Sequence, residues 1–284
     1  PYNEDPKRAR ERGQKASLIN SVNKLKEGSR GVERDYYKQL YWKLLSCNRD
    51  FRVYRHVDTG ECRAQPVTCG CRLCPFCTRR RAQHLREQFR RVIATMDNPV
   101  HVTLSFKNVS QLTGEVLDGC LRSLTRLRGR KFWRDAVRGG VWSFEVTYKP
   151  ETGFHPHFHL LVDTAKRANP IPKDVLRAAW TEITGAWTSW VKYAENPEEI
   201  IKYPVKPVGF LDRPEAVAAF LRATRNRRLT QGFGSFLGFS DRPDDASASL
   251  SNDDKWEFLC WTTSDRVYRL STGGFGWLGP RELV

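Results

Sequence analysis

The spacing of apolar and polar positions predicts alternating strands and amphipathic helices, and it is sharpest across residues 153–162. Phe154, Phe158, Leu160 and Val162 recur there at the two-residue period of a strand, so they share one face while His155, His157 and His159 share the other. Residues 141–148 alternate in the same way, with Trp142, Phe144, Val146 and Tyr148 opposite Ser143, Glu145 and Thr147. The turn-rich stretch 149–153 between them predicts an antiparallel hairpin, in which Glu145 shares a face with His157 and His159. A third strand is expected over 101–106, where Val102, Leu104 and Phe106 oppose His101, Thr103 and Ser105.

Helical periodicity marks other segments. Residues 14–27 suit a helix closed by Gly28, Ser29, Arg30 and Gly31, and Tyr37, Leu40, Tyr41 and Leu44 suggest a second one that delivers Cys47. One helix is expected over 78–96, with Leu85, Phe89, Val92, Ile93 and Met96 on its apolar side and Arg79, Arg80, Arg81, Arg86, Arg90 and Arg91 over much of the rest. Others are expected over 119–133, 173–187 and 214–224. Asn196, Pro197 and Glu199 have the spacing of a helix start, with Asn196 as cap and Glu199 at the capping-box position. That helix would carry Glu199, Tyr203 and Lys206 on one side, and Pro204 predicts a kink or a stop within it. Gly232, Phe233 and Gly234 read as a flexible stretch. Residues 241–254, rich in Asp and Ser, read as a linker before a hairpin of 255–261 with 266–270. The chain thus divides into a basic arm (1–31), a cysteine-knuckle and basic-helix region (32–96), a segment built around the histidine strand (97–240), and a linker with C-terminal hairpin (241–284).

Charge changes the picture more than length does. Lys and Arg number 48 against 32 acidic residues, a net charge of +16, which points to a polyanionic partner, most simply nucleic acid. Aromatic residues make up 12% of the chain, with nine Trp, and they suit base stacking. No apolar run approaches the roughly 18 to 20 residues of a membrane span, and no signal-peptide pattern is visible, so the expected location is the cytoplasm, away from membrane.

Eight cysteines in that compartment read as thiols or metal ligands, especially as four fall within residues 69–77. Cys74 and Cys77 form a C-x-x-C knuckle able to grip a tetrahedral Zn²⁺. Cys69 is the expected third ligand and Cys47 the choice for the fourth, with Cys62 and Cys71 in reserve. A redox C-x-x-C would be expected after a strand, whereas this one sits in what reads as basic loop. Three histidines in register form a platform for a divalent ion or for proton transfer. With Glu145, the pair His157 and His159 suits Mg²⁺ or Mn²⁺ and leaves coordination positions open for phosphate oxygen.

Taken together, these residues resemble the plasmid rolling-circle replication initiators of the HUH endonuclease superfamily. The matching pieces fall in the family's order: Cys47 and then Cys69, Arg72, Leu73, Cys74, Pro75 and Cys77; Thr103 to Phe106; Glu145 to Tyr148; His157, Phe158 and His159; and Lys202, Tyr203 and Lys206. The resemblance spans about residues 40–238, and it implies that the segment 97–240 is the endonuclease domain. It implies an α+β fold whose central antiparallel sheet carries the His-x-His motif, flanked by helices and a zinc knuckle. It also implies that His157, His159 and Glu145 hold a catalytic Mn²⁺ or Mg²⁺ while Tyr203 attacks a phosphate of single-stranded DNA. The products would be a 3′-hydroxyl and a 5′-phosphotyrosine, so the chain would nick and rejoin strands. Lys206 would stabilise phenolate or phosphate; Glu199 would activate water for a terminating cleavage or simply cap its helix. The implied partners are a replication origin, presented as a DNA hairpin in a prokaryotic cytoplasm, and a host helicase and polymerase.

Three alternatives bear on this reading. Tyr193 follows Lys192 and is a rival nucleophile, but it lacks the lysine three residues on and the glutamate four before. A histidine-triad nucleotide hydrolase would use His155, His157 and His159 together but would leave the cysteines and the Lys-Tyr motif unexplained. A zinc-stabilised DNA-binding protein without catalysis would use the histidines for a second structural ion. In the resemblance His155 is a bystander or a supporting residue.

Overall fold

A computed structural model of the chain describes residues 6–165, 171–186, 189–194, 209–238 and 255–263. By contacts it groups into two compact units, Pro1–Cys77 with Pro243–Val284, and Thr78–Arg242. The four-part division drawn from composition stays a proposal about which segments act together.

The first unit opens with helices α1 (Pro6–Gly28) and α2 (Gly31–Ser46). Residues 6–28, read from composition as part of a basic arm, form α1, in which Leu18 and Val22 are fully buried; α1 packs on α2, which buries Tyr37, Leu40 and Leu44. Strands β1 (Asp50–His56) and β2 (Cys62–Pro66) follow as an antiparallel hairpin. This region reads as loop in the sequence because arginines occupy positions along the strands; Arg52, Arg55 and Arg63 are all exposed. The later strand β8 (Trp256–Thr263) pairs with β1 in the order β2-β1-β8; its expected hairpin partner, residues 266–270, lies outside the described residues.

The second unit is built on a five-stranded, wholly antiparallel sheet in the order β6-β3-β5-β4-β7. Its strands are β3 (Pro99–Ser105), β4 (Val137–Lys149), β5 (Gly153–Thr164), β6 (Ser189–Tyr193) and β7 (Thr230–Gly234). Helices α3 (Pro75–Ile93), α4 (Gly114–Arg128), α5 (Lys131–Ala136), α6 (Lys173–Thr184) and α7 (Pro214–Thr224) complete the described elements. The α+β class, with a central antiparallel sheet, helices around it and a cysteine cluster, is the architecture expected from the sequence.

Alternation separates two faces. Val102, Leu104, Phe144, Phe158, Leu160 and Val162 turn to one side and are all 0–1% exposed. Phe158 sits at its centre with Phe144, Trp142 and Phe106 edge-on at 5.2, 5.6 and 5.8 Å between ring centres. The indole of Trp180 on α6 is fully buried and donates to the carbonyl of Ser105 at 2.7 Å, fixing α6 against β3. On the other face, Leu85 and Phe89 of α3 pack with Val141 and Phe236.

Several boundaries moved for local reasons. The helix expected over 119–133 starts earlier, because the Thr113 hydroxyl accepts from the Val116 amide, and it ends at Gly129, after which α5 begins separately. The helix expected to 187 stops where Gly185 takes the left-handed conformation at φ +68. Residues 230–234, read in part as flexible glycine loop, form β7 against β4, and Gly140 admits the close passage of β5: a Cβ there would collide with the Leu161 carbonyl. The hairpin turn needs Gly153 at φ +77, where a side chain would strike the Val109 carbonyl.

Candidate metal-dependent active site

The register of the β4–β5 hairpin sets Glu145 directly opposite His157, with Ser143 opposite His159. Directly paired residues and those two apart lie on one face, so Glu145, His157 and His159 converge as the alternation predicts. Glu145 Oε2 lies 3.2 Å from His157 Nε2 and 3.0 Å from His159 Nε2. One ligand atom from each of the three falls within 4.8 Å of the others. An octahedral ion with bonds of about 2.1 Å sets neighbouring ligands about 3 Å apart, so this donor set fits a small divalent ion with three positions left open.

The site is sheltered. Glu145 and His159 are buried, and the His157 side chain is only 12% exposed. Burial pushes the Glu145 carboxyl upward, but the hydrogen bonds and charges of His157 and His159 outweigh it and hold the group down at about 2, so it is an anion at neutral pH.

Behind His159 stands a residue not singled out as functional from sequence. His101 Nε2 lies 3.2 Å from His159 Nδ1, and the Thr103 hydroxyl lies 3.4 Å from the same nitrogen. Burial, aided by the nearby charges of His159 and Lys192, pushes His101 down to about 4, so it is neutral. Without an ion His159 Nε2 donates to Glu145; with an ion bound between them, a neutral His101 that accepts the Nδ1 hydrogen would leave the Nε2 lone pair of His159 free to ligate. The polar positions His101, Thr103 and Ser105 were the available signal. His101→Val is expected to weaken Mn²⁺ binding by about 10–100-fold with the fold retained; titration calorimetry on the purified chain measures it.

His155 does not join the cluster; its backbone carbonyl lies 3.3 Å from His157 Nδ1. Trp190 and Lys192 on β6 are paired with Thr103 and His101 and are exposed on the same face as the histidines. Tyr193 pairs with Val100, so its register sets it on the opposite face from the imidazoles. Glu199, Tyr203 and Lys206 lie outside the described residues.

A second cluster lies within the first unit. Cys47 follows α2, Cys69 precedes a turn at Gly70 (φ +67), and Cys74 and Cys77 flank the first turn of α3 with Pro75 at its first position. Their sulfurs lie 3.4 Å (Cys69–Cys77), 3.5 Å (Cys47–Cys77) and 3.7 Å (Cys47–Cys74) apart. Tetrahedral zinc with Zn–S bonds of about 2.3 Å would separate them by about 3.8 Å, so the set fits that ion. Hydrogen bonds from Cys47, Cys69 and Cys74 hold the Cys77 thiol well below its ordinary range, as the start of a helix also favours. Neither reserve joins the set: Cys62 is on β2, and Cys71 is buried apart, its thiol pushed up to about 12 by that burial.

The two clusters, Cys47 excepted, lie in a segment with known relatives. Residues 62–168 match the replication protein family. The chain is also similar to the curated Protein rep of a Bacillus species, 26% identical over 171 residues, which cover 57% of this chain and 54% of that protein. Protein rep of Bacillus amyloliquefaciens is 25% identical over 171 residues, 57% of this chain and 49% of the relative. The chain therefore spans about half the length of the replication proteins it matches. No solved structure matches it. The likeness to replication initiators expected from the motifs thus stands on two separate comparisons, and the replication-protein match ends before Tyr203. Among the described residues no helix is long and apolar enough to cross a membrane.

Proposed function

We propose that this chain is a plasmid rolling-circle replication initiator of the HUH type, which nicks and rejoins single-stranded origin DNA through a 5′-phosphotyrosine. The observation that carries this is the convergence of Glu145, His157 and His159 on one buried point with open positions toward a ligand. Bound there, Mn²⁺ or Mg²⁺ would polarise the scissile phosphate and make it electrophilic enough for a phenol of ordinary pKa about 10, a weak nucleophile at neutral pH, to attack.

The chain's own groups do the rest. Glu145 supplies the negative charge that retains a divalent cation, and His101 keeps His159 in the ligating tautomer. Tyr203 forms the new P–O bond as the 3′-oxygen leaves; Lys206 stabilises the phenolate or the phosphate, and Glu199 activates water in the terminating step. The opposite-face register of Tyr193 favours Tyr203 in this role. Exposed Trp190 and Lys192, flanking the histidines, suit a base and a phosphate of the bound strand. Cys47, Cys69, Cys74 and Cys77 would hold a structural Zn²⁺. Origin presentation as a hairpin, and recruitment of a host helicase and polymerase in a prokaryotic cytoplasm, belong to the same proposal.

Incubation with Mn²⁺ and a pool of single-stranded oligonucleotides is expected to give a protein–DNA species that survives denaturing electrophoresis, vanishes with EDTA and is absent from Tyr203→Phe. Its persistence in Tyr203→Phe would move the nucleophile elsewhere. Its absence from the wild type would leave a DNA-binding protein without this chemistry.

A further inference from the structure

In the first unit, the sheet β2-β1-β8 presents one face on which aromatic rings and guanidinium groups interleave. The register puts Arg52 opposite Trp261, Tyr54 opposite Phe258, and His56 opposite Trp256. Arg63 on β2 joins the same face opposite Tyr54. Phe258 and Trp261 are 49% and 57% exposed, a large apolar outlay for two neighbouring positions of a charged chain. They touch edge to face at 6.0 Å between ring centres, and Phe258 in turn meets Tyr54 at 5.8 Å. The Arg52 guanidinium lies 5.0 Å from the Trp261 ring centre and that of Arg63 lies 4.7 Å from Trp256. Arg63 also pairs with Glu61, whereas Arg52 has no carboxylate partner among the described residues. Glu257, which pairs with Arg55, belongs to the alternate set of positions and so to the other face.

We infer that this face is a second binding surface for single-stranded DNA, made of residues separate from the Glu145 trio, with unpaired bases stacking on Phe258 and Trp261 and Arg52 meeting a phosphate. Rings offer their faces to any unpaired base, while a duplex hides those faces, and guanidinium groups beside the rings match the charge of the backbone. The choice of DNA rests on the function proposed above; the preference for unpaired bases rests on the face itself.

The test is fluorescence anisotropy of a labelled oligothymidylate with the full chain in EDTA, so that no cleavage intervenes. Phe258→Ala with Trp261→Ala is expected to weaken binding about tenfold or more, Arg52→Gln to weaken it and flatten its salt dependence, and Phe258→Tyr with Trp261→Tyr to bind as the wild type does. A duplex of the same length should show no such loss. Unchanged affinity in the alanine variant, an equal loss for duplex, or tighter binding of oligouridylate than oligothymidylate would overturn the assignment. So would intact affinity accompanied by a change in sedimentation, which would make the face a contact between copies. If the wild type forms no covalent adduct, the catalytic reading fails, yet these binding results still decide this one.

Discussion

His159→Ala is expected to abolish metal-dependent cleavage of single-stranded DNA, a fall of more than about a hundredfold in rate, while the protein stays folded. His159 gives its Nε2 to the point where Glu145 Oε2 stands 3.0 Å away, and its Nδ1 is held by His101 at 3.2 Å. Removing it breaks the donor set and strands both neighbours, so two effects add at one position. His157→Ala removes one ligand without disturbing that chain and should fall almost as far. The control is His155→Ala, which stands outside the cluster and should keep most of the rate. Single-turnover cleavage at saturating Mn²⁺, with near- and far-ultraviolet circular dichroism as the folding check, separates loss of chemistry from loss of structure. A rate for His159→Ala within a few-fold of the wild type would remove the trio from catalysis.

The second large effect concerns stability. Cys47→Ser is expected to release bound zinc and to lower stability by several kcal/mol, a part of the roughly 10–16 kcal/mol that structural zinc contributes in isolated finger peptides. Four sulfurs within 4.8 Å of one another, three pairs of them at 3.4–3.7 Å and three of the residues buried, bring together groups that repel once more than one is ionised. A divalent cation turns that repulsion into bonding. Because the ligands must be thiolates, zinc should be retained at neutral pH and lost as pH falls and the sulfurs take up protons. Cys62→Ser and Cys71→Ser should keep one zinc per chain, since neither sulfur belongs to the set. Metal content by mass spectrometry and denaturant unfolding of each variant measure the difference. Zinc retention in Cys47→Ser, or its loss in Cys71→Ser, would reassign the fourth ligand.

The site was legible where a strict two-residue period coincided with unusual chemistry. From residue 153 to 162 every second side chain is apolar or histidine, with Pro156 the one break on the apolar side, so one turn and one register rule brought Glu145 to His157. The cysteine set was legible for a similar reason, since a C-x-x-C at a helix start positions two sulfurs and leaves few sources for the others. Edge strands were harder. Residues 189–193 alternate over only five positions, and their partner β3 is far away in sequence, so β6 was not foreseen. Strand β1 alternates Phe51 and Val53 with arginines, which look like solvated loop until β8, about two hundred residues later, covers the other edge. The burial of Leu18 and Val22 on α1 was faint in the sequence because the uncharged polar residues Ser17, Asn20, Ser21 and Asn23 surround them. His101 was missed because its role comes from a contact across strands, with a residue 58 positions away.

The claim that Glu145, His157 and His159 hold the catalytic ion is tested most directly by pulsed electron paramagnetic resonance of the Mn²⁺-loaded protein. Two histidine nitrogen couplings are predicted in the wild type, one in His157→Gln and one in His159→Gln. Wild-type Mn²⁺ without nitrogen couplings, in a sample that still cleaves single-stranded DNA, would contradict it.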